Sequence, residues 1–91
     1  MKHASHASLY RLEPLLEQVR AIAGLIERTP GSFYRRSTAF LHFHEDPTGL
    51  FADVKLNLAG FERLPVNTSA EQAALLRAVR RALSNASNVE T

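Results

Sequence analysis

Residues 38–66 read TAFLHFHEDPTGLFADVKLNLAGFERLPV, and the way this run pairs with itself decides the fold. From Thr38 to His44 the side chains alternate. Ala39, Leu41 and Phe43 point one way, and Phe40, His42 and His44 the other, as in a strand with one face toward a core. Glu45-Asp46-Pro47-Thr48-Gly49 is turn chemistry, because proline presets φ and glycine is free to take φ > 0. Leu50, Ala52, Val54, Leu56 and Leu58 then line one face of a second strand against Phe51, Asp53, Lys55 and Asn57, and Gly60 ends it.

A slip of one residue would send a whole apolar set to the wrong face, so parity selects the register. With Asp46 to Gly49 as a four-residue loop, Glu45 pairs with Leu50. His42 then faces Asp53, His44 faces Phe51 and Phe40 faces Lys55. A three-residue turn Leu58-Ala59-Gly60, with Gly60 at the left-handed position of a bulge, brings Leu64 and Val66 to the core. Phe61, Arg63 and Pro65 join the outer face, and Pro65 marks an edge because it has no N–H to donate to a ladder.

Both flanks read as helices. Upstream, Leu12, Leu15, Leu16, Val19, Ile22, Ala23 and Ile26 follow the i, i+3, i+4 pattern of an amphipathic stripe. Proline is accepted in a first turn, so this helix is expected to begin at Glu13 or Pro14, with residues 9–12 as a lead-in turn. Thr29-Pro30-Gly31 is expected to stop it. Ser32 to Ser37 is a connector open to an extended conformation. Downstream, Thr68 with Glu71 and Ser69 with Gln72 offer two overlapping capping boxes, ahead of a stripe of Leu75, Leu76, Val79, Ala82 and Leu83. The expected fold is therefore α+β in the order α-β-β-β-α. It is a three-stranded antiparallel meander with two helices on its Ala39/Leu41/Val54/Leu64 face, one domain over residues 1–91 with 1–8 and 84–91 as flexible tails.

Composition narrows the class of function. The 91 residues are 45% hydrophobic and 22% charged, in keeping with one ordinary globular domain with a thin core. The absence of cysteine excludes disulfides, thiolate zinc sites and a cysteine nucleophile. No run has the ~18–20 apolar residues of a membrane span, and MKHASHASLYRLEP lacks the apolar stretch of a secretory signal, so a cytoplasmic protein is expected. The glycines form no phosphate-binding loop, and no serine sits in a nucleophile elbow. With a formal charge of +2, distribution matters more than the total. Arg77, Arg80 and Arg81 crowd the last helix and, with Arg35 and Arg36, are the candidates for a nucleic-acid contact; a solvated helix face is the simpler reading. The strands carry Glu45, Asp46, Asp53 and Glu62 against Lys55 and Arg63, a balance that opposes a phosphate backbone.

The outer sheet face carries the functional expectation. Phe40, Phe51 and Phe61 among His42, His44, Asp53, Lys55 and Arg63 make a patch larger than a small monomer usually leaves wet. It reads as the interface of a non-enzymatic domain that acts by protein association, with a second copy as the simplest partner. The alternative is that the 32–37 segment or a terminus folds over it within one chain. His42, His44 and Asp53 form a second candidate, a divalent-metal or histidine-assisted small-molecule site, because i, i+2 histidines share a strand face and a carboxylate lies across the ladder. His3 and His6 are expected in a frayed terminus. No other cofactor is expected.

The run FYRRSTAFLHFHEDPTGLFADVKL followed by FERLPVNTSAEQAALLRAV resembles a family of small uncharacterised bacterial α+β proteins with an HFHED turn, an F-A-D-V strand and an F-E-R strand ahead of a capped helix. The likeness spans residues 33–80 and implies a bacterial cytoplasmic origin. It implies no activity and no site residues.

Overall fold

The hairpin of β4 (Thr38–Asp46) and β5 (Gly49–Asn57) forms in the register that parity selects, with Glu45 opposite Leu50, His44 opposite Phe51 and His42 opposite Asp53. Asp46 also pairs with Gly49, which tightens the expected loop to Pro47-Thr48. The computed structural model describes residues 2–57 and 60–90. Its remaining elements are β1 (Lys2–His3), α1 (His6–Arg11), α2 (Glu13–Arg20), β2 (Ile26–Thr29), β3 (Ser32–Arg35), β6 (Gly60–Pro65) and α3 (Ser69–Glu90).

The three-stranded meander is overturned. The antiparallel sheet runs β2-β3-β4-β5-β6, and β1 pairs with β4 as a short sixth strand. The difference begins where the first helix stops. Instead of reaching Thr29, α2 ends at Arg20, and Gly24, at φ +96, takes a backbone conformation that helical residues do not. The apolar stripe had already failed there, with Ala23 exposed and Ile26 57% exposed. Ile26 to Thr29, bounded by β-branched residues, becomes a strand, and Pro30-Gly31 turns it back into β3. Arg20 ties helix to strand: its guanidinium donates to Glu27 at 2.6 Å and to Glu13 at 2.6 Å.

Residues 2–8 belong to the fold. His3 pairs with His44 and Lys2 with Glu45, on the same edge of β4 that β3 occupies further along. The Ala4 N–H donates to the Phe43 carbonyl at 3.0 Å, and the Ser5 hydroxyl caps α1 by accepting from the Ser8 N–H at 3.2 Å. Ala4 and Ser8 are buried. Pro14 sits in the first turn of α2, where its missing N–H costs nothing.

Two bulges bend the parity argument. Between β3 and β4, Phe33 pairs with Leu41 but Tyr34 pairs with Ala39, so Phe40 is the extra residue. It turns into the core at 5% exposure, while Ala39 lies beside Tyr34. Between β5 and β6 the register shifts between Val54 and Asn57, so that Leu64 lies opposite Ala52 and Glu62 opposite Val54. Leu64 is half-buried and Val66 fully buried, as parity requires. The expected turn falls partly on residues 58 and 59, outside the described residues; Gly60, at φ +139, pairs with Asn57.

All three helices pack on one face, around a core that includes Leu15, Leu16 and Val19 of α2, Phe43 and Val54 of the hairpin, and Leu75 and Val79 of α3. One of the two capping boxes forms. The Glu71 N–H donates to the Thr68 hydroxyl at 3.1 Å, and the Glu71 carboxylate accepts from the N–H groups of Thr68 and Asn67. Gln72 donates its side-chain amide to the carbonyl of Val66, just past the end of β6, at 3.1 Å.

Candidate functional site on the open sheet face

The face opposite the helices carries Arg28, Tyr34, His42, His44, Phe51, Asp53, Lys55, Phe61 and Arg63, and none of them is buried. Because β2 and β3 extend the sheet, this face is wider than a three-stranded meander would make it, and the 32–37 segment lies alongside it as a strand and turn. Arg28 places its guanidinium 4.9 Å from the centre of the Tyr34 ring. Phe61, 47% exposed, lies against His42 with ring centres 5.1 Å apart and planes 30° from parallel. Phe51 is half-buried. Phe40 is corrected from this face to the core, since the bulge turns it over.

Asp53 is the electrostatic centre. Arg63 grips it in bidentate fashion, Nε to Oδ1 at 2.9 Å and Nη2 to Oδ2 at 3.2 Å. His44 Nε2 lies 3.1 Å from the same Oδ2. The Arg63 hydrogen bond, helped by the charges of His44, Arg63 and His42, outweighs partial burial and holds the Asp53 carboxyl below its usual range. His42 is Asp53's backbone partner, yet the carboxylate reaches diagonally to His44 instead. Burial and the neighbouring His44 and His3 push the His42 pKa down against the pull of Asp53, which favours a neutral ring.

The three residues expected as ligands, His42, His44 and Asp53, do share this face, but the carboxylate is engaged elsewhere. Both Asp53 oxygens are committed to Arg63 and one is shared with His44. Among the described residues no three His, Asp or Glu side chains stand ready around one point for a metal ion. The residue that sequence reasoning missed is His3. Its ring meets that of His44 edge to face at 6.5 Å, as His42 does from the other side at 6.0 Å. No local pattern could have found it, because only the pairing of β1 with β4 brings it there. His3 also lines a cavity of about 380 Å³, with His6, Ser5, Leu9 and the 29–32 turn.

Arg77, Arg80 and Arg81 are exposed on α3, which lies on the other side of the sheet, so they do not join this face. Arg35 ends β3 and Arg36 occupies the β3–β4 turn at φ 58. Among the described residues no helix is long and apolar enough to cross a membrane. Compared with protein-family models, curated proteins and solved structures, the chain matches none of them.

Proposed function

We propose that the protein is a non-enzymatic association module that pairs with a second copy of itself through the open sheet face. The observation that carries this reading is Phe61, nearly half exposed and stacked on His42 in a face without a single buried side chain. Loss of Phe40 to the core narrows the apolar patch, but Tyr34 and the 57% exposed Ile26 extend it toward β2. Five strands ~4.8 Å apart give a face of roughly 600 Å², below the ~800 Å² per partner of a standard interface, so the dimer is expected at micromolar strength.

Sedimentation velocity tests it. A monomer–dimer equilibrium weakened at least ~tenfold by Phe61→Ser supports the reading, since two phenylalanine burials of ~1.5–3 kcal/mol each are removed per dimer. A wild-type chain that stays monomeric at ~200 μM contradicts a micromolar dimer.

Charge placement favours a second reading. Glu45 and Glu62 share the parity of the covered face, opposite Leu50 and Val54, so the acids that opposed a phosphate backbone are partly off this surface. Arg28, Lys55 and Arg63 remain among aromatic rings, against Asp53 and Asp46 at the end of β4, an arrangement suited to single-stranded nucleic acid. Retention on single-stranded DNA or RNA that falls steeply with salt, in a monomeric chain, would select this reading over the dimer.

A further inference from the structure

We propose that β1 is a pH-sensitive latch: protons taken up by the His3, His44 and His42 imidazoles, which meet edge to face across β1 and β4, release residues 2–5 from the edge of β4. The latch lies within one chain and does not depend on the dimer reading.

β1 is a small element held by few bonds. Lys2 and His3 pair with Glu45 and His44, the Ala4 N–H donates to the Phe43 carbonyl at 3.0 Å, and the Ser5 N–H donates to the Glu45 carboxylate. His3 Nε2 stands 2.9 Å from the Pro30 carbonyl, which only accepts, so that nitrogen carries the hydrogen. A terminal segment tied down in this way can open locally while the core stays closed.

His44 is the ring that the latch confines. Its Nε2 faces Asp53 Oδ2 at 3.1 Å, so a second proton would have to enter at Nδ1. That nitrogen is buried and has no hydrogen-bond partner, and an N–H placed there would be an unsatisfied donor on a charged ring. The elements packed around His44 offer little relief. On β4 itself the His42 ring lies 6.0 Å away between centres, and β1 brings the His3 ring to 6.5 Å. β5 supplies Asp53, with Lys55 two residues along the same face, and β6 supplies Arg63, whose guanidinium already grips the Asp53 carboxylate. β3 meets this stretch of β4 at Ser32, which carries no charge. Asp46, at the end of β4, is turned to Thr48, and Glu45 to the Ser5 N–H. Three rings therefore compete for one carboxylate that Arg63 holds.

The sign follows. Burial, and then the charges of His44 and His3, lower the His42 pKa against the pull of Asp53. Asp53 is held below the usual carboxylate range, so it stays ionised near neutral and mildly acid pH. Release of β1 moves the His3 charge away and opens His44 Nδ1 to water. A ring that is neutral when latched and free when open makes opening about tenfold more favourable between about pH 7.5 and 5.5, with ~6.5 for a free imidazole. The latch is shut near neutrality and weakens as pH falls. Its release also takes His3, Ala4 and Ser5 out of the wall of the cavity they share with the 29–32 turn.

Amide hydrogen exchange of the full chain, followed by NMR at a concentration where sedimentation shows monomer, tests the latch. After correction for the intrinsic effect of pH, protection of the Ala4 and Ser5 amides should fall about tenfold or more from about pH 7.5 to 5.5, while that of Ala52 and Val54 holds. His44→Gln keeps an amide donor for Asp53 but cannot titrate, and should cut the fall to less than ~threefold. His6→Gln, a histidine outside the cluster, should leave it at the wild-type value. If His44→Gln does not fold, the wild-type imidazole resonances serve: protonation of His44 should follow the same curve as the loss of Ala4 protection. A wild-type fall below ~threefold, an equal fall in His44→Gln, a protonated His44 with Ala4 still protected, or loss of Ala52 and Val54 protection in step with Ala4 overturns the proposal.

Discussion

Asn67 serves Leu50 as a strand partner would. The Leu50 N–H donates to Asn67 Oδ1 at 2.8 Å, and Asn67 Nδ2 donates to the Leu50 carbonyl at 3.2 Å, which also accepts from the Val66 N–H at 3.0 Å. One side-chain amide thus carries the ladder past the end of β6 to the point where α3 begins. It also sits so close to Gly49 that a Cβ there would meet Asn67 Oδ1 at 2.6 Å.

Asn67→Ala is accordingly expected to destabilise the chain by about 1–3 kcal/mol, because the Leu50 N–H is left without its acceptor beside the core. Urea denaturation measures it. A loss below ~0.5 kcal/mol would mean that solvent replaces the amide without penalty.

Phe40 and Phe61 are expected to separate sharply, although both look like outer-face residues in the sequence. Phe40→Ala empties a core position 5% exposed and should cost about 3–5 kcal/mol. Phe61→Ala, at 47% exposure, should cost less than ~1 kcal/mol in the monomer. Equal losses in chemical denaturation at low protein concentration would remove the β4 bulge from the account.

Glu27 predicts a pH dependence. Burial raises its pKa, but the Arg20 hydrogen bond, the Gly31 N–H and the Arg20 charge together hold it below the usual 4.5. A carboxyl whose folded pKa is depressed contributes stability above its unfolded pKa and loses it as pH falls through the folded value. Wild type should exceed Glu27→Gln by roughly 0.5–1 kcal/mol near neutrality, a modest figure because the pair is partly exposed. The gap should close below about pH 4.5. Melting curves of both proteins from neutral to acid pH show whether it does.

Much of the hairpin was legible from side-chain parity. The pairings of Glu45, His44 and His42 across β4 and β5 follow from alternation and one turn, and Thr68 with Glu71 announces the start of α3 three residues ahead. These features are local, or nearly so. The end of α2 was not legible, because Ile22, Ala23 and Ile26 continue a helical period that Gly24 interrupts, with Ala23 and Ile26 left exposed. The site was half legible: His42, His44 and Asp53 share a face as parity requires, but their hydrogen bonds run on the diagonal and include Arg63 from the next strand.

By itself the sequence determined the α+β class, which face of the central hairpin is apolar, its register and the cap of the last helix. Each is encoded within a few residues, by a period or by turn chemistry. Only the tertiary structure decided that Ile26 to Arg35 widens the sheet, that a bulge turns Phe40 into the core, and that His3 stands beside His44. Those outcomes depend on which edge of β4 was free and on what the helices left uncovered. They are set by contacts between segments far apart in the chain, where no local period reports them.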